Sequence, residues 1–209
     1  MTISLTNTGK RFNREWIFRH LNYQFTSGIQ YAITGSNGSG KSTLLQVIAG
    51  ALSASEGTIS YRLSANSSDV KDDVYRYISV AAPYIELIEE MTLQEFLLFH
   101  QQFKPFLSSL TIDTIINILG LKEATDKQIR YFSSGMKQRV KLAQSFFSDT
   151  PVLLLDEPTT NLDADGIALY HQLLQQYCVQ RLVIISSNDE TEYKFCKEVL
   201  RISDYKIAK

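Results

Sequence analysis

Cysteine, proline and tryptophan are scarce in this chain, with two, four and one copies among 209 residues. Two thiols, Cys178 and Cys196, cannot make a disulfide framework, and they share no redox or metal-ligand spacing. No apolar run approaches the roughly 20 residues needed to span a bilayer. The opening Met1-Thr2-Ile3-Ser4-Leu5 also lacks the charged-then-apolar order of a secretory leader. A cytoplasmic chain is expected, with any membrane role supplied by a partner. Charge of one sign is missing too: 21 Lys and Arg against 22 Asp and Glu leave a net charge of −1. No general basic field is present to recruit nucleic acid, and no nucleic-acid partner is expected. Histidine is confined to His20, His100 and His171, and no glutamine lies between Gln46 and Gln94. Repeats, low-complexity tracts and interdomain linkers are absent. What remains, 44% hydrophobic and 21% charged, is ordinary for a globular protein with one substantial core.

Against these absences one segment carries a definite chemistry. Gly35-Ser36-Asn37-Gly38-Ser39-Gly40-Lys41-Ser42-Thr43 has the spacing of a phosphate-binding loop. Its glycines let successive backbone N–H groups line one concavity. A helix beginning near Lys41 adds its positive N-terminal end. Lys41 would reach the terminal phosphates, and the Ser42 hydroxyl would coordinate Mg²⁺. Ile29 to Thr34 reads as the strand before it, and Leu44, Leu45, Val47 and Ile48 give the following helix a buried face. The motif has the strand–loop–helix setting it requires, so a nucleoside triphosphate is the expected ligand.

The rest of the chain organises around that unit. The first thirty residues read as short strands with turns, 57–63 as a further strand, 64–73 as a polar turn, and 74–80 as another strand. From Thr92 the pattern turns helical, with Leu93, Phe96, Leu97 and His100 on one face. Pro105 breaks that run, and Ile112, Ile115, Ile116 and Leu119 line a second helix ending at Gly120. Val152–Leu155 and Leu182–Ile185 are continuous apolar runs suited to buried parallel strands, with a helix around 167–177 between them. The expected fold is α/β: a P-loop NTPase core with a mixed or parallel sheet, an N-terminal antiparallel β subdomain, and a helical insertion near 84–147, all within one domain spanning 1–209.

Two further motifs follow. The first apolar run ends in Asp156-Glu157 before Pro158. A carboxylate at the C-terminal edge of a buried strand beside a phosphate loop suits a second Mg²⁺ anchor, the role expected of Asp156. Glu157 points differently and can orient or deprotonate the attacking water. Upstream, Ser133-Ser134-Gly135 precedes Val140, Ala143, Phe146 and Phe147 at helical spacing, which reads locally as a capped helix start.

Together these motifs resemble the ATPase domain of ATP-binding cassette (ABC) proteins over essentially the whole chain. Gly35–Thr43 resembles the Walker A loop, Phe132–Met136 the LSGGQ signature, Val152–Pro158 the Walker B strand, and Thr160-Asn161-Leu162-Asp163 the D-loop. The resemblance implies a head-to-tail homodimer, or a pair with another cassette, with ATP sandwiched between one phosphate loop and the other subunit's Ser133 and Gly135. It also implies that Asp163 couples the two sites, and that Phe12, with Trp16 as a rival, stacks on adenine. A separate integral membrane permease on the cytoplasmic face is implied as partner. The short length is similar to stand-alone cassettes of bacterial export-type systems, cytochrome c-type haem exporters among them. A soluble ABC ATPase, or a slowly hydrolysing subunit paired with another cassette, are the alternatives.

The chain departs from the family pattern in three places. The signature reads Phe-Ser-Ser-Gly-Met, so Ser134 adds a side chain and Met136 removes an amide. Asn188 stands where the family places its switch histidine, and it can hydrogen-bond a γ-phosphate but cannot shuttle a proton. Ala82 falls nearest the position of the missing Q-loop glutamine. Ile85–Met91 would still form the groove for a permease coupling helix. Glu157 as catalytic carboxylate with Asn188 as a weakened phosphate sensor implies slow but real ATP hydrolysis.

Overall fold

The computed structural model describes residues 1–206. Among the described residues two compact units emerge, one built from 1–80, 151–157 and 180–206, the other from 81–150 and 158–179.

The first unit contains both sheets. Strands β1 (Thr2–Phe12), β2 (Glu15–Thr26) and β4 (Glu56–Arg62) form an antiparallel sheet in the order β2-β1-β4. The expected short N-terminal strands are in fact one long hairpin. Its period-2 pattern is broken by irregularities in register after Leu5, Thr8 and Lys10, with Asn7 and His20 at φ of 47° and 56°. Each extra residue moves the apolar side chains to the other parity, which is why Phe18 and Leu21 are both buried although three positions apart. The second sheet has the order β5-β6-β7-β3-β8 and is formed by β3 (Gln30–Thr34), β5 (Ile78–Ala81), β6 (Val152–Asp156), β7 (Leu182–Ser186) and β8 (Glu198–Arg201). The ladders β6–β7, β7–β3 and β3–β8 are parallel. Residues of β6 and β7 are buried throughout, as their continuous apolar runs require. Helix α1 (Lys41–Ile48) packs on β6 and β7 and reaches β1, joining the two sheets through Leu44, Leu45, Val47 and Ile48.

One expected strand is shorter than its sequence pattern. Residues Lys71–Arg76 form a 3₁₀ turn, and β5 begins only at Ile78. Asp69 organises this segment by accepting from the backbone N–H groups of Tyr61 and Lys71, both at 3.0 Å. That Asx-type contact wins over the β propensity of Val74-Tyr75.

The second unit is helical. It comprises α2 (Leu93–Phe103), α3 (Ile112–Ile118), α4 (Ser134–Phe146) and α5 (Ala164–Tyr177), with α2 against α3 and α4, and α4 against α5. Thr92 and Glu95 form a reciprocal capping box that starts α2. Edge-to-face pairs Phe146–Tyr170 and Phe147–Tyr177, at 6.2 and 5.1 Å, fix α4 to α5. The short α6 (Glu190–Tyr193), which belongs to the first unit, has no apolar periodicity long enough to read from sequence.

His100 is part of the helical core. Its ring stacks with Phe96 and Phe106 at centroid distances of 6.4 and 5.3 Å, and its Nε2 lies 3.0 Å from Ser148 Oγ. Burial, with the Lys104 charge adding, lowers its pKa from 6.5 to about 4. The folded protein keeps this ring neutral while the unfolded chain protonates it. Its contribution to stability is therefore complete above about pH 6.5 and is lost as pH falls toward about 4. His100→Gln removes the titration and leaves an amide for Ser148. Its melting temperature, followed by circular dichroism, is expected to fall less between pH 7 and pH 5 than that of the wild type. Equal falls would show that His100 does not set the acid limit.

Candidate nucleotide-binding site

The site is assembled at the C-terminal ends of β3, β6 and β7. Register pairs Ile33 with Ser186 and Ser186 with Asp156, so three chains leave the sheet at one level. After β3, residues 35–40 turn into the N-terminus of α1, with Ser39 N–H donating to Ser36 O at 3.0 Å. Gly40 sits at φ 105°, and a Cβ there would come within 2.3 Å of Ile17 Cγ2. Backbone strain and close packing together demand glycine. A cavity of about 240 Å³ opens over this turn, walled by Asn37, Gly38, Lys41, Ser42, Thr43 and Glu157, with Ile17 on one side.

Lys41 is only 5% exposed. Its ammonium donates to the carbonyls of Gly35 (3.0 Å) and Ser36 (3.4 Å), and no carboxylate pairs with it among the described residues. A buried cation satisfied only by neutral dipoles is costly, and an anion beside it relieves that cost. Ser39 Oγ is likewise buried without a hydrogen-bond partner among the described residues. The chain thus offers an unpaired cation, free N–H groups at a helix N-terminus and a hydroxyl-bearing wall, a donor set that fits a polyphosphate.

Asp156 ends β6, 2% exposed, and accepts from Ser186 Oγ at 2.6 Å. Glu157 follows at φ 44°, its N–H donating to Ser186 O at 2.9 Å. The left-handed turn directs Glu157 away from the sheet and onto the cavity wall. Asn188 lies beyond β7, where Ser187 N–H donates to Ile33 O at 3.1 Å and pins this exit to that of β3. The Asn188 amide hydrogen-bonds Asn37 Oδ1. One carboxylate and one hydroxyl, Asp156 and Ser42, suit Mg²⁺, which keeps several waters and takes its other ligands from phosphate.

Phe12 stands at the β1–β2 hairpin tip, 47% exposed, with Lys10 Nζ 5.1 Å from its ring centroid. It does not line the phosphate cavity; Ile17 does. Trp16 lies between Arg19 and Arg11, at 4.4 and 5.5 Å.

The signature-like residues belong to the helical unit. Ser133 caps α4, its Oγ accepting from Met136 N–H at 3.2 Å. Gly135 faces Asn161 so closely that a Cβ would lie 3.1 Å from the Asn161 carbonyl oxygen. Asp163 caps α5 through Gly166 N–H at 2.8 Å and pairs with Arg139 at 3.0 Å. Those contacts, the Gly166 N–H first and then the Arg139 guanidinium, hold its carboxyl below the usual range. Ser133, Ser134, Gly135, Met136, Arg139 and Asp163 all border a second cavity of about 490 Å³. A third, of about 390 Å³, is lined by Pro83, Ile85, Glu86 and Leu87 with Lys137 and Lys141. Ala82 itself is fully buried.

The parallel sheet with a glycine turn entering α1 is the fold of a P-loop nucleotide-binding ATPase. The ABC transporter family model matches residues 18–160, and the chain belongs to that ATP-binding family. It is 29% identical over 190 residues to an uncharacterized ABC transporter ATP-binding protein, YybJ, of Bacillus subtilis, covering 91% of this chain and 86% of that one. It is also 29% identical, over 97% of this chain and 95% of the other, to the putative hemin import ATP-binding protein HrtA of Staphylococcus aureus. A putative ABC transporter ATP-binding protein of Pyrococcus furiosus superposes with a TM-score of 0.82 at 20% identity, covering 99% of this chain and all of that one. A dimeric bacterial ABC transporter cassette gives 0.79 at 22%, over 96% and 94%.

Sequence reading had not singled out Ser186, Ile17 or Arg139 for the roles they take here. Ser186 had a usable signal, a hydroxyl ending the second apolar run level with the Asp156 that ends the first. Lys41→Met tests the buried-cation reading. The free protein is expected to keep or gain thermal stability. Its affinity for ATP, by calorimetric titration, should fall by roughly 30- to 1,000-fold, as for a desolvated charge contact of ~2–4 kcal/mol. Undiminished ATP affinity would separate Lys41 from nucleotide binding.

Proposed function

We propose that this chain is the ATP-binding and ATP-hydrolysing subunit of an ABC transporter, driving a separate membrane permease through ATP-dependent dimerisation. The observation that carries the proposal is the meeting of Lys41, Ser42 and Glu157 around one cavity at the exits of β3 and β6. In this reading 1–209 acts as one ATPase domain with a helical subdomain near 84–147. The loop 35–43 cradles the phosphates, with Lys41 reaching the terminal ones. Ser42 and Asp156 hold Mg²⁺, which when bound neutralises charge on the phosphate oxygens. Glu157 orients and accepts a proton from the attacking water. Asn188 donates its amide toward the γ-phosphate, Phe12 packs on adenine, and Ser133 and Gly135 bind the ATP of a second cassette, with Asp163 coupling the two sites.

No helix among the described residues is long and apolar enough to cross a membrane, consistent with a peripheral position on the cytoplasmic face beside a permease. The groove bordered by Pro83 and Ile85–Leu87 is the proposed seat of a permease segment. Nucleic acid has no role in this reading. Asn188 and Ala82 favour slow turnover, because each removes a side chain able to sense or stabilise the reacting phosphate. One such donor is worth about 10²–10³ in rate.

Phosphate release by the purified protein with Mg²⁺ and ATP is the direct test. Glu157→Gln is expected to bind ATP as the wild type does, to lose phosphate release by about 10²–10³-fold, and to accumulate as an ATP-dependent dimer in size-exclusion chromatography. Phosphate release unchanged by Glu157→Gln would remove that residue from the chemistry. Absence of any ATP binding by the wild type would remove the function.

A further inference from the structure

One residue hydrogen-bonds the carboxylate of Asp156 and the backbone of Glu157. Ser186 is fully buried at the end of β7, directly opposite Asp156 in the β6–β7 ladder. Its hydroxyl proton is committed to Asp156 Oδ1 at 2.6 Å, the short range of hydrogen bonds to a charged acceptor. Its carbonyl accepts from Glu157 N–H at 2.9 Å, holding a non-glycine residue at φ 44°. Asp156 Oδ2, by contrast, makes no hydrogen bond among the described residues. A carboxylate only 2% exposed, anchored through one oxygen and open at the other, is oriented for a ligand on its open side.

We propose that Ser186 is a positioning residue for the metal-dependent step. Its side chain fixes the carboxylate plane of Asp156, and its backbone fixes the turn that presents Glu157. Asp156 cannot rotate about its side-chain torsions without breaking the 2.6 Å contact, so its open oxygen keeps one direction before nucleotide arrives. The assignment rests on the Mg²⁺·ATP reading above. It extends that reading to a residue whose hydroxyl contacts Asp156 and neither Lys41 nor the glycine turn. The serine acts through Asp156 and is not itself a catalytic residue.

The test separates metal positioning from general support of the fold. Binding of a fluorescent ATP analogue is measured across a Mg²⁺ titration and in EDTA, for the wild type, Ser186→Ala and Ser186→Thr. Ser186→Ala is expected to raise the Mg²⁺ concentration at half-saturation by roughly 3- to 30-fold, within the range for loss of an outer-shell partner. Its affinity in EDTA should stay within about twofold of the wild type, because loop 35–43 is untouched. Ser186→Thr, which keeps the hydroxyl, should recover most of the metal dependence. Melting temperature checks each variant's fold, and if the alanine protein does not fold, Ser186→Cys, of similar size and a weaker donor, replaces it. An unchanged half-saturation point in Ser186→Ala overturns the proposal. So does an equal loss of affinity with and without Mg²⁺, which would make Ser186 merely structural. A wild type that binds nucleotide with no Mg²⁺ dependence overturns the metal assignment itself, and the Ser186 proposal falls with it.

Discussion

The arrangement depends on the register of three parallel strands. Ile33, Ser186 and Asp156 lie side by side across β3, β7 and β6. The chain must therefore leave all three strands at one level, and the connections 35–40, 157 and 187–188 converge there. Slipping β6 by one residue would turn Asp156 from its buried position to the opposite face and carry Glu157 with it. The runs 152–155 and 182–185 are buried at every residue, so the polar residues that end them, Asp156 and Ser186, mark where each strand must stop in the core. The register then fixes the site. This is the crevice outside the carboxyl ends of an open α/β sheet, where ligands of such folds bind.

Within that frame the polar groups divide by environment. Lys41 and Asp156 are both nearly buried, at 5% and 2% exposure, yet they do not pair with each other. Lys41 is held by carbonyls and Asp156 by a hydroxyl. A direct ion pair would satisfy both charges and leave little driving force for a ligand. Keeping them apart preserves one unneutralised cation and one open carboxylate oxygen, which is complementary to a metal-bound polyphosphate. Under the proposed function, the stability lost by burying Lys41 without a counter-charge is regained when nucleotide binds, which couples occupancy to stability.

Much of this was legible in the sequence, for identifiable reasons. The phosphate loop, the two buried strands and Asp156-Glu157 are short local patterns whose chemistry admits few substitutes. The helices at 93–103 and 112–118 follow from apolar spacing, and the structure adds the Thr92 and Thr111 side chains that cap them. The N-terminal hairpin was harder because three irregularities in its register shift the parity of its apolar residues. The turn expected over 64–73 runs on through 76 because an aspartate side chain, Asp69, outweighs the β propensity of Val74-Tyr75. Contacts between residues distant in sequence, such as Asn188 with Asn37 or Asp163 with Arg139, leave no local pattern. They emerge only once the fold sets which loops meet.

The signature-like segment shows how local and functional roles coexist. Ser133 Oγ and Asp163 Oδ1 are each committed to a helix N-terminus, accepting from Met136 and Gly166. These caps would be needed in any helical domain, so neither side chain by itself argues for a nucleotide. The cap consumes the Met136 N–H, whereas the N–H groups of Ser134 and Gly135 precede the first intrahelical acceptors. If a second subunit's ATP docks at this end of α4, those amides are the natural donors, and the Ser133 hydroxyl can accept from one side while donating on the other. Ser134 matters less in that geometry than its departure from glycine implies, because it contributes a backbone N–H whatever its side chain. Gly135 is the tighter position, because a Cβ there would sit 3.1 Å from the Asn161 carbonyl oxygen and would require that backbone to give by a few tenths of an ångström. Under the proposed function, the departures that matter more are Asn188 and Ala82, where no backbone group substitutes for an imidazole or an amide side chain. Under the proposed function, nucleotide binding and the rate of turnover are thus separable, because binding rests on backbone donors and turnover on particular side chains.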